Sequence, residues 1–248
     1  MSETYDAIYL SPHLDDAALS CGGQIAARAR RGDTVLVLSL FTRDEPAGES
    51  SDLVAKLHGL FGLENEVVAH RRREDLEACE LLGARARHAD LPDAIYRIDP
   101  ETGSPLYPRL AGLFGRPTAA DRTVLESLSR LLAELPKAAE IFAPLGVGKH
   151  VDHLLVRSAA ELVIEEISYY EETPYADKWR ALGQALGRRA DWDAVITTFD
   201  DADLDAKIAA CSTYTSQIKG LYRTPARLER ALRRHARKLG GERLWKRC

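Results

Sequence analysis

Residues 34–42 read Thr-Val-Leu-Val-Leu-Ser-Leu-Phe-Thr, an unbroken apolar and β-branched run. A run with no polar face suits a strand covered by helices on both sides, as strands of parallel sheets are. What precedes it agrees. Tyr5–Leu10 is a second short apolar run, Ser11-Pro12-His13 interrupts it, and Asp15 to Arg31 carries Ala, Leu and Ile at helical spacing until Gly32-Asp33 closes the segment. The first 42 residues therefore predict a β-α-β unit.

The alternation continues downstream. Spacing and stop signals predict helices over 51–62 and 70–82, a strand over 87–91, an irregular insertion over 92–117, a helix over 123–135 and a strand over 140–143. A turn over 144–148 and a helix over 150–166 follow. Late strands over 168–171 and 194–199 flank a helix over 179–186, and 204–222 reads as one helix. The pattern predicts an α/β fold, a three-layer sandwich with a mostly parallel, Rossmann-like sheet, as a single domain over 1–248. From Arg223 to Cys248 ten Lys/Arg stand against two Glu, a local charge of +8 that reads as a basic C-terminal helical tail.

Composition narrows the function classes. The net charge of −4 gives no general affinity for polyanions, and no nucleic-acid motif accompanies the basic tail, so no nucleic-acid partner is expected. Four cysteines stand far apart without a CxxC pair, so neither a thiolate zinc site nor a redox dithiol is suggested. Neither a membrane span nor a signal-peptide pattern is present, and a cytoplasmic protein is expected.

Two clusters carry chemistry. Ser11-Pro12-His13-Leu14-Asp15-Asp16 lies where a predicted strand turns into a helix, the place where open α/β sheets gather ligands. Adjacent carboxylates at such a turn repel each other unless a cation neutralises them, although either could simply cap the helix. Lys149-His150-Val151-Asp152-His153 follows a second strand, with the two histidines three apart and near one helical face. Imidazole and carboxylate donors together suit Zn2+ or Fe2+ better than Mg2+ or Ca2+.

These residues resemble the LmbE-like, or PIG-L, N-acetylglucosamine deacetylases. The family signature reads close to His-Pro-Asp-Asp-Glu with a following Gly-Gly pair, and later His-Pro-Asp-His. Here the stretches stand as Pro12-His13-Leu14-Asp15-Asp16-Ala17 with Cys21-Gly22-Gly23, and as His150-Val151-Asp152-His153. The resemblance implies that His13, Asp16 and His153 hold Zn2+, with Fe2+ or another divalent ion as the alternative. It also implies that Asp15 is the general base and that His150 assists the oxyanion or the leaving amine. Arg71, in Arg71-Arg72-Arg73-Glu74, and Asp93, in Leu91-Pro92-Asp93, match substrate-contacting positions, and Tyr214-Thr215-Ser216-Gln217 is similar to a late Ser-Gln segment. Leu14 and Val151 replace the usual prolines, and Gly148 stands where some sugar deacetylases carry a tyrosine that assists catalysis, so oxyanion help must come from elsewhere.

The implied reaction removes an acetyl or other acyl group from a small-molecule N-acyl sugar, as a metal-dependent amidohydrolase. Asp152 is expected behind the metal, accepting a histidine N–H. Arg43, on the loop after the second strand, is a further expected substrate contact, and the loop over 43–51 and the insertion over 92–117 are expected to border the site. Tyr96, Tyr107 and Trp179 would pack a sugar face or the core. Homo-oligomer formation is left open. Two rivals stand beside this reading: an Fe(II) enzyme built on two His and one carboxylate, and a non-catalytic sugar-binding protein of the same fold.

Overall fold

The computed structural model describes residues 3–46, 51–63 and 65–248. Its first 42 residues form the expected unit of β1 (Thr4–Ser11), α1 (Asp16–Arg30) and β2 (Val35–Ser39). Next come α2 (Asp52–Phe61), α3 (Val67–Leu81), β3 (Arg85–His88), α4 (Arg122–Ala133), β4 (Lys137–Pro144), α5 (Val151–Val163) and β5 (Ser168–Tyr170). The chain closes with α6 (Trp179–Leu186), β6 (Trp192–Thr197), α7 (Asp201–Thr213), α8 (Thr215–Leu221), α9 (Pro225–Leu239) and β7 (Glu242–Arg247). Residues 92–117 hold only short 3-10 turns, as their scattered Pro and Gly predict.

Seven strands form one sheet in the order β3-β2-β1-β4-β5-β7-β6. The first five pair in parallel, while β7 runs antiparallel to both neighbours. Side chains alternate across the central strands. Ala7 and Tyr9 of β1 join Val35 and Val37 of β2 in the core under α1, α3 and α7, whereas Ile8, Leu10, Leu36 and Leu38 join the opposite core with residues of α4 and α5. This is the three-layer arrangement that the continuous apolar runs imply, because both faces of each central strand are covered.

Three expectations change. The basic tail is helical only through Leu239, because Leu244 packs into one core and Trp245 into the other as a strand must present them. The segment read as one helix over 204–222 breaks at Tyr214, whose hydroxyl donates to the buried Asp75 carboxylate (2.8 Å). The strand expected over 87–91 sits at 85–88, in register with Leu36–Ser39 of β2. Cys21, Cys79 and Cys211 are buried free thiols and Cys248 is exposed. No helix among the described residues is long and apolar enough to cross a membrane.

Close packing fixes α1 against the rest of the molecule. A Cβ at Gly23 would stand 2.5–2.8 Å from the Phe199 ring, and one at Gly22 would stand 2.8 Å from Lys207. Beneath them the Glu242 carboxylate of β7 accepts from the Gly23 N–H (3.0 Å), the Gln24 N–H (3.0 Å) and Lys207 Nζ (2.6 Å). All of these groups are buried, so the charges neutralise each other at the point where helix and strand touch.

Candidate active site

β1 has β2 on one side and β4 on the other, so the strand order reverses between β1 and β4. Crevices outside the carboxyl ends of such a strand pair are where open α/β sheets hold ligands. Both polar clusters open into this one. After β1, Ser11 Oγ donates to the His13 carbonyl (2.6 Å) and accepts from Ala17 N–H (3.0 Å), folding the loop back on the start of α1. After β4, the turn is tied down by Glu172, whose carboxylate accepts from Gly146 N–H (2.7 Å) and Val147 N–H (3.0 Å).

Asp16 Oδ2 lies 3.2 Å from His13 Nδ1 and 3.2 Å from His153 Nε2. Nitrogens of His13, His150 and His153 all lie within 4.8 Å of one another. On its far side His13 Nε2 stands 3.0 Å from Asp152 Oδ2 and 3.7 Å from Asp93 Oδ2. Asp152, fully buried, is held in turn by Arg97, and Arg97 pairs with Asp121 (2.9 Å). His153 Nδ1 stands 3.1 Å from Glu172 Oε1. Each of these two histidines thus has one nitrogen on a buried carboxylate and the other facing Asp16. Hydrogens on the outer nitrogens leave the inner lone pairs free.

The electrostatics call for positive charge at this spot. Burial disfavours the charged form of His13, yet Asp93, Asp152 and Asp16 hold its pKa well above the ordinary value. Burial likewise opposes charging of His153, and Asp16 and Glu172 overcome it, moving that pKa up to about 9. Asp15 is raised to about 7 by burial and by the charge of Asp16, against the pull of Arg71 and His13. His150 goes the other way, down to about 3, through burial and the neighbouring His13 charge. Asp152 N–H donates to His150 Nδ1 (3.3 Å), so the hydrogen of this neutral ring sits on Nε2. His13 and His153 gather protons around Asp16, whose carboxyl the two imidazoles hold, against burial, well below the ordinary range. Such a set of donors fits a divalent ion, which would take the protons' place.

Residues 8–164, which contain both clusters, match the family model for PIG-L, GlcNAc-PI de-N-acetylase. The chain belongs to the PIG-L family. It is 30% identical over 234 residues to a 2'-N-acetylparomamine deacetylase of Niallia circulans, covering 87% of this chain and 82% of that protein. It is 31% identical over 255 residues to a protein of the same name from Streptomyces fradiae, covering 96% and 80%. Among solved structures, the zinc-inhibited form of a teicoplanin deacetylase superposes with a TM-score of 0.81 at 24% identity, over 98% of this chain and 97% of that one.

In this PIG-L protein a cavity of about 330 Å³ opens onto the cluster, lined among others by His13, Asp15, Asp16, Arg71, Asp93, His150 and His153. Arg71 projects from α3 with Nη2 3.7 Å from Asp15 Oδ1 and its guanidinium over the Phe61 ring, and its buried Nε has no hydrogen-bond partner among the described residues. Asp93 accepts from Ile95 N–H (3.1 Å), capping a short turn as well as facing His13. Asp152 lies against the His13 ring on the side away from Asp16.

Arg43 does not join the site. It extends over the surface to Asp90, Nε to Oδ1 at 3.2 Å, because its own N–H is tied to the Leu91 carbonyl (3.0 Å). The described part of its loop turns away too, with Asp44 on Arg72 and Glu45 on the first N–H groups of α3; residues 47–50 of the expected loop lie outside the described residues. Tyr107 is buried with its hydroxyl on Asp121, Tyr96 bonds His58 Nε2 (2.8 Å), and the Trp179 side chain lies outside the described residues.

Two cavity neighbours escaped the sequence reading. Glu172 lies two residues after β5, and its place at a strand's carboxyl end was the available signal. Tyr175 fills the space beside Gly148, where a Cβ would meet its ring at 3.0–3.1 Å. Gly148 adopts φ +88°, so a tyrosine at that position would be both strained and crowded, and Tyr175 lines the cavity instead. The Ser-Gln segment contributes Gln217, whose Nε2 donates to Ser216 Oγ (3.0 Å) while Ser216 in turn donates to Glu74.

Proposed function

We propose that the protein is a zinc-dependent deacetylase that hydrolyses the N-acetyl group of an N-acetylglucosamine-type sugar conjugate. The observation that carries this reading is Asp16 Oδ2 at equal distance from His13 Nδ1 and His153 Nε2, with Asp15 beside it at the floor of the cavity. His13, Asp16 and His153 would hold the ion. The names of the two curated relatives support an acetylated amino sugar as the substrate class.

When bound, a divalent ion polarises an amide carbonyl and makes nearby water more acidic. The chain's own residues do the rest. Asp15 takes the proton of the attacking water and passes it to the amine nitrogen as the C–N bond breaks, and its neighbour Arg71 keeps it oriented. Neutral His150 donates its Nε2 hydrogen to the oxygen that gains charge. Asp152 and Glu172 hold the His13 and His153 rings by their outer nitrogens. Asp93 and Arg71, which line the cavity, would contact sugar hydroxyls.

Metal content and acetate release from a panel of N-acetylglucosamine conjugates test the assignment. Asp16→Asn should lose the metal. Asp15→Asn should keep metal and fold and lose about 10²- to 10⁴-fold in turnover. Near wild-type turnover of Asp15→Asn at saturating metal would remove Asp15 from the mechanism. Oxidation of a substrate by the iron-loaded protein, with no acetate released, would favour the Fe(II) rival.

A further inference from the structure

We infer that the natural substrate carries an alkyl chain, as its N-acyl group or as its aglycone, lying along an apolar wall at the mouth of the cavity; this rests on the deacetylase reading above. The reactive cluster occupies one end of the cavity, where Asp15, Asp16 and Asp93 are all largely buried. They are also the only acids among the described residues that line it, and Arg71 is the only Lys or Arg. Beside this cluster the lining changes character, starting from Phe114, whose ring packs edge-on to His150 (centroids 5.4 Å apart), and Phe61, which lies under the Arg71 guanidinium. Leu57, Leu60 and Phe61 come from α2, and Leu110, Leu113 and Phe114 from the insertion over 92–117. Leu60 is 39% exposed, Leu110 48% and Phe114 41%.

Single exposed leucines are ordinary on protein surfaces, but three large apolar side chains around one concavity beside a catalytic cluster mark a place where apolar ligand is buried. The wall is also held in place. Leu113 is packed with Leu53, Val54, Ile95 and Tyr107 in a small core that joins α2, the insertion and the start of α5. A small N-acetyl sugar would leave this wall wet, and among the described residues no carboxylate stands on it to meet an ammonium-rich sugar. An alkyl chain covers the wall and gains roughly 0.8 kcal/mol for each methylene fully removed from water.

The test uses two homologous series below their micelle concentrations: N-acylglucosamines from acetyl to decanoyl, and N-acetylglucosaminides with methyl to octyl aglycones. In one series kcat/KM should rise about two- to fourfold per methylene over the first several carbons, and the series that responds identifies the source of the chain. Leu60→Asp/Leu110→Asp should abolish the dependence on length. If the N-acetyl compounds are turned over and both series are flat or falling, the inference is wrong and the deacetylase reading stands. If nothing is turned over, the deacetylase reading fails, and the wall is then judged by calorimetry with butyl to octyl glucosides. Affinity rising with length in the wild type and not in the double variant supports the alkyl site; no length dependence overturns it.

Discussion

Glu172→Gln isolates the contribution of one buried carboxylate to the turn and the ring it holds. Oε1 accepts from Gly146 N–H at 2.7 Å and faces His153 Nδ1 at 3.1 Å, while Oε2 accepts from Val147 N–H at 3.0 Å. A glutamine supplies one acceptor oxygen and one NH2 group in their place. With the NH2 at the Oε2 position, the Val147 N–H loses its partner; with the amide reversed, both Gly146 N–H and His153 lose theirs. An unsatisfied buried donor costs about 1–3 kcal/mol, so the milder outcome destabilises the protein by about 2 kcal/mol. At this chain length that corresponds to a fall in Tm of about 4–8 °C. The His153 ring also loses a charged acceptor, and metal affinity should drop about 10- to 100-fold. Scanning calorimetry of the metal-free protein and a competitive metal titration measure the two effects. A variant within about 1 °C of wild type with unchanged metal affinity would show that neither the turn nor the ring depends on Glu172.

The cluster also predicts a pH response. His153 has its pKa raised from 6.5 to about 9, so it stabilises the metal-free fold below pH 6.5 and this contribution is lost as pH rises through about 9. Asp15, raised from 3.8 to about 7, acts in the same sense at lower pH, since the folded state holds its proton longer than the unfolded chain. Metal-free protein should therefore lose urea resistance from pH 6.5 to 9 while apparent metal affinity climbs, and a flat profile in both measurements would contradict the assignment. Gly23→Ala brings a methyl within 2.5–2.8 Å of Phe199 and should cost about 1–3 kcal/mol in denaturant unfolding, although alanine is the better helix former. Arg43→Ala removes only an exposed pair with Asp90 and should change stability by less than about 1 kcal/mol and leave kcat/KM unchanged; a large loss of activity would put Arg43 back in the site.

The parts of the site that sequence makes legible are those whose chemistry is written in neighbouring residues. His13, Asp15 and Asp16 share one strand-to-helix turn, as do His150, Asp152 and His153, and the alternation of apolar runs places both turns at the same edge of the sheet. Arg43 fails the same inference, because a loop at a strand's carboxyl end fixes only where the chain leaves the sheet. Its direction is decided by the Leu91 carbonyl and Asp90, far along the chain.

The break between α7 and α8 has no local signal either, since Tyr214-Thr215-Ser216 contains neither Gly nor Pro. It is produced by α3. Asp75 takes the Tyr214 hydroxyl, and Glu74 accepts from Ser216 N–H (2.9 Å) and Thr215 Oγ1 (2.8 Å), capping the new helix from outside. Glu242-Arg-Leu-Trp-Lys-Arg247 likewise reads as a charged tail until the sheet supplies partners on both its sides.

The strand order couples the far edge of the sheet to the histidine–carboxylate cluster. β6 touches no strand but β7, although β7 follows it by about fifty residues, so β6 can enter the sheet only with or after β7. The same β7 reaches through Glu242 to two N–H groups of α1, the helix that opens with Asp16. Peeling β7 away would therefore release an edge strand, leave the buried Lys207 ammonium without its carboxylate and loosen the scaffold beneath Asp16 in a single event. The geometry around Asp16 is in that sense mechanically tied to a strand that contributes no residue to the cluster.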